Sequence, residues 1–109
     1  MLNSLFGSEN AERVFIFLLI REKGYPAEIA SFFNSPLSAI QKQVEKFELA
    51  GILVNEKVGR TRVYSFNPGN IFLPELKALL LKAYEFYPSQ IKEELENNRR
   101  RPRRSNKPL

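Results

Sequence analysis

The apolar run VFIFLLI, residues 14–20, constrains the fold of this chain more than any other feature. Ser8 followed by acidic residues is typical of a helix start, so we expect a helix from there to about Lys23, ended by Gly24. A helix that is apolar on every side is buried on more than one face. In a chain of 109 residues with a modest core, the second face could be a subunit interface. The run is too short to span a membrane, which takes about 20 residues.

Two further helices are predicted next. Pro26 suits a first helical turn, and a short helix over 26–33 follows from it. Ser35 is the expected N-cap of a longer helix, with Pro36 as its first residue and an end near Ala50. Its apolar positions recur at spacings of three and four, at Leu37, Ile40, Val44 and Phe47.

The second half of the chain begins with β-forming residues. Strands are predicted over 52–57 and 61–66, joined by a tip at 58–60. After a loop at 67–70, Pro74 opens another helix. Ser89 then begins a short polar helix that ends near residue 98.

The order of helix, short helix, turn, longer helix and hairpin is the layout of a winged helix-turn-helix. The expected fold class is therefore mainly α with a small β-hairpin, extended by one or more C-terminal helices. We assign residues 1–88 to this domain with its dimerisation helices. Residues 89–98 form the polar C-terminal helix, and residues 99–109 a disordered basic tail.

The run SPLSAIQKQVEKFELAGIL, residues 35–53, is similar to the recognition helix of arsenic-repressor-like (ArsR-like) winged-helix regulators. EKVGRTRVYSFNP resembles that family's wing. FNPGNIFLPELKALLLKA resembles the segment after the wing in a prokaryotic subgroup, where the winged helix stands alone or precedes a nucleotidyltransferase domain. Together these resemblances cover about residues 4 to 84. They imply a DNA-binding transcriptional regulator that dimerises through its first and last helices.

Two departures narrow what the resemblance implies. The chain has no cysteine or histidine, which argues against the soft-metal sensing of many arsenic-repressor-like proteins. Pro36 also lacks an amide that could face a phosphate. We expect no metal and no cofactor.

The positive charge lies mostly in the tail. The chain carries +5, but residues 99–107 supply six basic residues and no acid. Residues 1–98 therefore hold 11 basic and 12 acidic residues, a net charge of −1. The basic residues of the tail are Arg99, Arg100, Arg101, Arg103, Arg104 and Lys107. An arginine run contacts mainly phosphates, so we assign the tail an auxiliary role in affinity; a disordered solubilising tail is the alternative.

Sequence reading is assigned to the longer helix. B-DNA's major groove admits one helix, and glutamine and lysine pair with adenine and guanine edges. The base-reading candidates are Gln41 and Lys42. The candidates for the DNA backbone are Ser38, Lys46, Lys57, Arg60, Thr61 and Arg62. The alternative is that these are ordinary solvated polar faces.

The predicted function is a sequence-specific DNA-binding regulator, a dimeric repressor in the cytoplasm. The expected dimer contacts are Phe15, Phe17, Leu79, Leu80 and Tyr84. An enzyme is not expected, because no histidine, cysteine, aspartate or glycine-rich phosphate loop is present. The near-neutral domain supports one alternative function: an interaction adaptor for a separately encoded enzyme, such as a nucleotidyltransferase.

Overall fold

A computed structural model describes residues 1–106 of the chain, with side chains described for residues 1–97. The described part is mainly helical, with one antiparallel two-stranded hairpin, as the sequence predicts. The helices are α1 (Asn3–Phe6), α2 (Glu9–Arg21), α3 (Pro26–Phe33), α4 (Leu37–Leu49), α5 (Leu73–Tyr84) and α6 (Ser89–Asn106). The hairpin strands are β1 (Leu53–Val58) and β2 (Thr61–Phe66).

Helix α2 is the centre of the molecule. The hydroxyl of Ser8 accepts a hydrogen bond from the Ala11 amide at 3.0 Å, which confirms the predicted cap. Every residue of the run 14–20 except Leu19 is buried. All the other described helices, and strand β2, pack against this helix. Both of its apolar faces are thus covered within one chain, and a subunit interface on the second face stays a prediction.

The end of α2 differs from the prediction. Glu22, not Gly24, is the residue after the helix that takes a positive φ, 73°. Gly24 instead exchanges two backbone hydrogen bonds with Tyr64 of β2, at 3.0 and 2.8 Å. A Cβ atom on Gly24 would lie 2.6 Å from Cε1 of Phe17, so this glycine allows a close approach that a side chain would block.

The start of α4 also differs from the prediction. No side chain caps this helix, and Pro36 precedes its first residue in extended conformation. The Ser35 hydroxyl is used elsewhere, because it accepts a hydrogen bond from Nη1 of Arg13 at 2.9 Å. Of the predicted apolar stripe, Ile40, Val44 and Phe47 are buried, whereas Leu37 is exposed.

The C-terminal helices return to α2. Leu95 of α6 is fully buried, and Nε of Arg21 donates to its carbonyl at 3.2 Å. Tyr84 ties α5 to α6 by donating to Glu96 at 2.7 Å. Helix α6 continues to Asn106, past the predicted end near residue 98. The side chains of the predicted disordered tail, 99–109, lie outside the described ones, and its disorder stays a prediction. None of the described helices has the length and apolar character needed to cross a membrane.

Candidate nucleic-acid interface

Helix α4 presents a polar side to solvent. Its inner side is fixed by Phe47, whose ring centroid lies 4.3 Å from that of Phe15 in α2. Ser38, Gln41 and Lys42 are all exposed on the opposite side. The structure therefore places these three predicted contacts on the outer side of the helix, where a duplex can reach them.

The hairpin forms a wing beside this helix. Its strands pair in register from Leu53 opposite Phe66 to Val58 opposite Thr61. Two residues make the turn, and Gly59 takes positive φ, 65°, which suits a tight hairpin. The next residue, Arg60, is exposed at the tip. The predicted wing is thus present. Strand β1 begins and ends one residue later than predicted, and β2 has the predicted bounds.

A groove of about 370 Å³ runs between α3, α4 and the wing. Gln41 and Glu45 of α4 line one side, and residues 60–62 line the other. Tyr64 contributes to the wall as well. The structure thus brings one predicted base reader together with three predicted backbone contacts, while Ser38, Lys42, Lys46 and Lys57 lie outside the groove.

Two basic side chains outside the groove are oriented differently. The ammonium of Lys46 lies 5.2 Å from the ring centroid of Phe47, and a Cβ atom on Gly7 would be only 3.7 Å from it. Lys46 is therefore turned toward the α1–α2 connection. Lys57 pairs across the hairpin with Arg62, so both lie on the same face of the wing.

A hydrogen-bonded series that the sequence analysis missed joins α4 to the wing. Nη1 of Arg62 donates to Oδ1 of Asn55 at 2.9 Å. Nδ2 of Asn55 donates to the carboxylate of Glu48 in α4. Burial, followed by the negative charges of Glu48 and Glu45, raises the pKa of the Tyr64 hydroxyl above its ordinary value. No spacing rule reveals these contacts, because they join residues of separate elements.

The charge of α4 and the wing differs from that of the rest of the domain. These elements carry five basic residues, Lys42, Lys46, Lys57, Arg60 and Arg62, and three glutamates. Their net charge is +2. The domain through residue 98 has a net charge of −1, so its remaining parts carry −3. This face is therefore the positive side of a domain that looks near-neutral as a whole.

A second polar group lies far from the wing. Glu12 of α2 is only 3% exposed and accepts hydrogen bonds from the Leu2 amide and the Tyr87 hydroxyl. Burial alone would raise the pKa of Glu12, but these bonds and the amino group of Met1, 3.2 Å away, lower it overall. The carboxylate thus ties together α1, α2 and the turn after α5. In the part of the chain with described side chains, no group of three or more acidic, histidine or cysteine residues could hold a metal ion.

The predicted dimer contacts are placed mostly inside the chain. Phe15, Phe17, Leu80 and Tyr84 are buried in its own core, so they have almost no surface left for a partner. Leu79 alone of the five keeps substantial exposure, 37%. Other apolar side chains are exposed on and beside α5: Ile71, Phe72, Leu81 and Phe86.

The architecture, a helix-turn-helix in which α4 is followed by a two-stranded wing, defines a winged-helix fold. Two solved structures share it across most of their length. An apo double mutant of ZitR from Lactococcus lactis aligns with 91% of this chain and 83% of its own, with a TM-score of 0.53 and 13% identity. The adhesin competence repressor AdcR from Streptococcus pyogenes aligns with 88% and 81%, with a TM-score of 0.50 and 12% identity.

At these identities the likeness concerns the fold alone. No protein-family model matches the sequence, and no curated protein matches it either.

Proposed function

We propose that this protein is a winged-helix transcriptional regulator that binds duplex DNA through α4 and the wing. One observation carries the proposal: the groove between these elements joins Gln41 to Arg60 and Arg62 on the positive side of the domain. A helix with exposed polar side chains fits the major groove, and a basic hairpin tip beside it reaches the phosphates or the minor groove. The fold shared with a repressor, AdcR, is consistent with this role.

The residues divide by what they can contact. Gln41 and Lys42 are the proposed base readers, because both lie in the first half of α4 and their side chains are exposed on its outer side. The proposed backbone contacts are Ser38, Lys46, Lys57, Arg60, Thr61 and Arg62. Lys46 contributes least among them, since its ammonium is turned toward Phe47.

A two-fold dimer completes the proposal. We assign its interface to the exposed apolar side chains around α5, with Leu79 joined by Ile71, Phe72, Leu81 and Phe86. Such a dimer presents two copies of α4 to successive major-groove faces, so the expected operator is an inverted repeat. We further propose a cytoplasmic repressor that is arsenic-repressor-like, close to the prokaryotic subgroup of stand-alone or nucleotidyltransferase-linked winged helices.

Alanine variants test the proposed base readers. Gln41→Ala and Lys42→Ala should each lower affinity for a selected DNA site by about 5- to 150-fold, since a good base contact is worth about 1–3 kcal/mol. Lys23→Ala is the matched control, because it removes an exposed lysine that lies outside α4, the wing and the proposed dimer interface. Fluorescence anisotropy gives the affinities, and circular dichroism checks the fold. Unchanged affinity in both α4 variants would show that α4 is not the reader.

A truncation separates the domain from its basic tail. The chain ending at residue 98 should bind duplex DNA more weakly across all sequences, while keeping its sequence preference. Its affinity should still fall steeply with salt, because phosphate contacts by the wing release counterions. If the truncated chain shows no salt-dependent binding, α4 and the wing do not bind DNA, and an adaptor role becomes the better account.

A further inference from the structure

The base and the outer half of the wing are held in different ways. Its base is buried: Leu53 and Phe66 pack in the core, and Tyr64 exchanges backbone hydrogen bonds with Gly24. Beyond Tyr64 the wing is solvated, since residues 56–60 are all exposed. Apolar packing therefore does not fix the orientation of the outer half, although the proposed phosphate contacts lie there.

Asn55 lies at the boundary between the buried base and the solvated outer half of the wing. It is the cross-strand partner of Tyr64, and its side chain shares a face with Arg62. Both ends of its amide are used: Nδ2 donates to the Glu48 carboxylate, and Oδ1 accepts from Arg62 at 2.9 Å. A hydrogen-bonded series thus runs from the outer side of α4, through β1, to a guanidinium on β2.

This series links the two proposed DNA-contacting elements. Glu48 lies in the last turn of α4, the helix that carries Gln41, and Arg62 lines the groove that Gln41 also lines. The amide holds the guanidinium at a defined place relative to that helix. Arg62 keeps further donors for a phosphate, because a guanidinium has five.

We propose that Asn55 is the positioning residue that sets the wing against α4 and so decides where Arg62 meets the DNA backbone. This inference rests on the proposed DNA-binding function. Asn55 contacts no DNA in this account; it acts through Glu48 and Arg62. The amide is required because it supplies a donor to one neighbour and an acceptor to the other.

A charge-neutral pair of substitutions tests this requirement. Asn55→Asp removes the donor and places a carboxylate against Glu48, so the two should repel. Adding Glu48→Gln restores a donor on the other side of the contact, and the new carboxylate still accepts from Arg62. The double variant has the same net charge as the natural chain, so non-specific attraction to DNA stays the same.

Binding to a selected DNA site is the first measurement, made on the full chain. Asn55→Asp should lower affinity about tenfold, or about 1.4 kcal/mol. That change is close to the low end of what a hydrogen bond to a charged group contributes. The double variant Asn55→Asp/Glu48→Gln should return to within about threefold of the natural chain, as the restored contact is of the same type. If the double variant stays as weak as Asn55→Asp, the amide does not position the wing.

A distance measurement tests the same contact without DNA. The chain has no cysteine, so spin labels at Leu49→Cys and Val58→Cys, both exposed positions, report the separation of α4 from the wing tip. Asn55→Asp should broaden the distance distribution measured by double electron–electron resonance, and the double variant should narrow it again. An unchanged distribution in Asn55→Asp would overturn the proposal.

The two measurements distinguish a failure of the proposed function from a failure of the positioning role of Asn55. If the natural chain binds no DNA while the distance distribution responds as expected, the proposed function is wrong and the wing contact stands. If the chain binds DNA and the distribution does not respond, the function stands and the positioning role of Asn55 is wrong.

Discussion

Helices α2 and α4 are both 13 residues long, yet the molecule uses them in opposite ways. Eight residues of α2 are buried, and elements of the same chain cover it all round. Helix α4 buries only Ile40, Val44 and Phe47, and leaves its polar side open. Helix α2 therefore organises the fold, whereas α4 is anchored by a narrow apolar stripe and exposes its other side to solvent.

The largest expected effect lies in α2. Phe15 is 1% exposed and contacts the rings of Phe6, Phe47 and Phe66. Phe15→Ala should lower the free energy of unfolding by about 3–5 kcal/mol, because it opens a cavity among those rings. Urea denaturation measures the change.

Truncating an exposed apolar side chain of α4 to alanine, as the counterpart of Phe15→Ala in α2, should have almost no effect on stability. Leu49 is 91% exposed, so Leu49→Ala should change the free energy of unfolding by less than about 0.5 kcal/mol. Comparable losses in Phe15→Ala and Leu49→Ala would break the contrast between the two helices.

The next effect concerns the buried carboxylate of α2. Glu12→Gln should cost about 1–3 kcal/mol near neutral pH, because it weakens charge-assisted hydrogen bonds from Tyr87 and Leu2. The pKa of Glu12 is lowered in the folded chain, so its stabilisation is present above the ordinary carboxyl value and is lost as pH falls through the lowered one.

Denaturation curves at several pH values test this predicted loss of stabilisation in acid. The stability gap between the natural chain and Glu12→Gln should be widest near pH 7 and should close in acid. A gap that widens as the pH falls would mean that burial, rather than hydrogen bonding, dominates the titration of Glu12.

The smallest expected effect lies at the wing tip. Arg60→Ala should leave stability unchanged, since Arg60 is exposed, and should weaken DNA binding similarly for all sequences. The slope of log affinity against log salt concentration should shrink by about one unit, as for one lost phosphate contact. A salt titration of both proteins measures it; an altered base preference would instead assign Arg60 to base reading.

Local patterns were enough to predict most elements. Helix α3 has the predicted bounds, Ser8 caps α2 as expected, and the wing turn lies where glycine and arginine suggested. These features depend on neighbouring residues, so the local sequence determines them.

Features that depend on distant residues were missed. Gly24 reads as a helix stop, but its role is set by Phe17 and Tyr64. Ser35 reads as a cap, but Arg13, 22 residues away, takes its hydroxyl. Composition also hid the charge difference between the α4–wing face and the rest of the domain, because it averages over surfaces that only the fold separates.

Selection of bound duplexes from a random pool is the most direct test of whether α4 reads the DNA sequence while the wing contacts the backbone. The natural chain should enrich an inverted repeat, and the Gln41→Ala/Lys42→Ala variant should lose that enrichment while keeping its fold. Enrichment of the same repeat by both proteins, or of no sequence by the natural chain, would contradict the account.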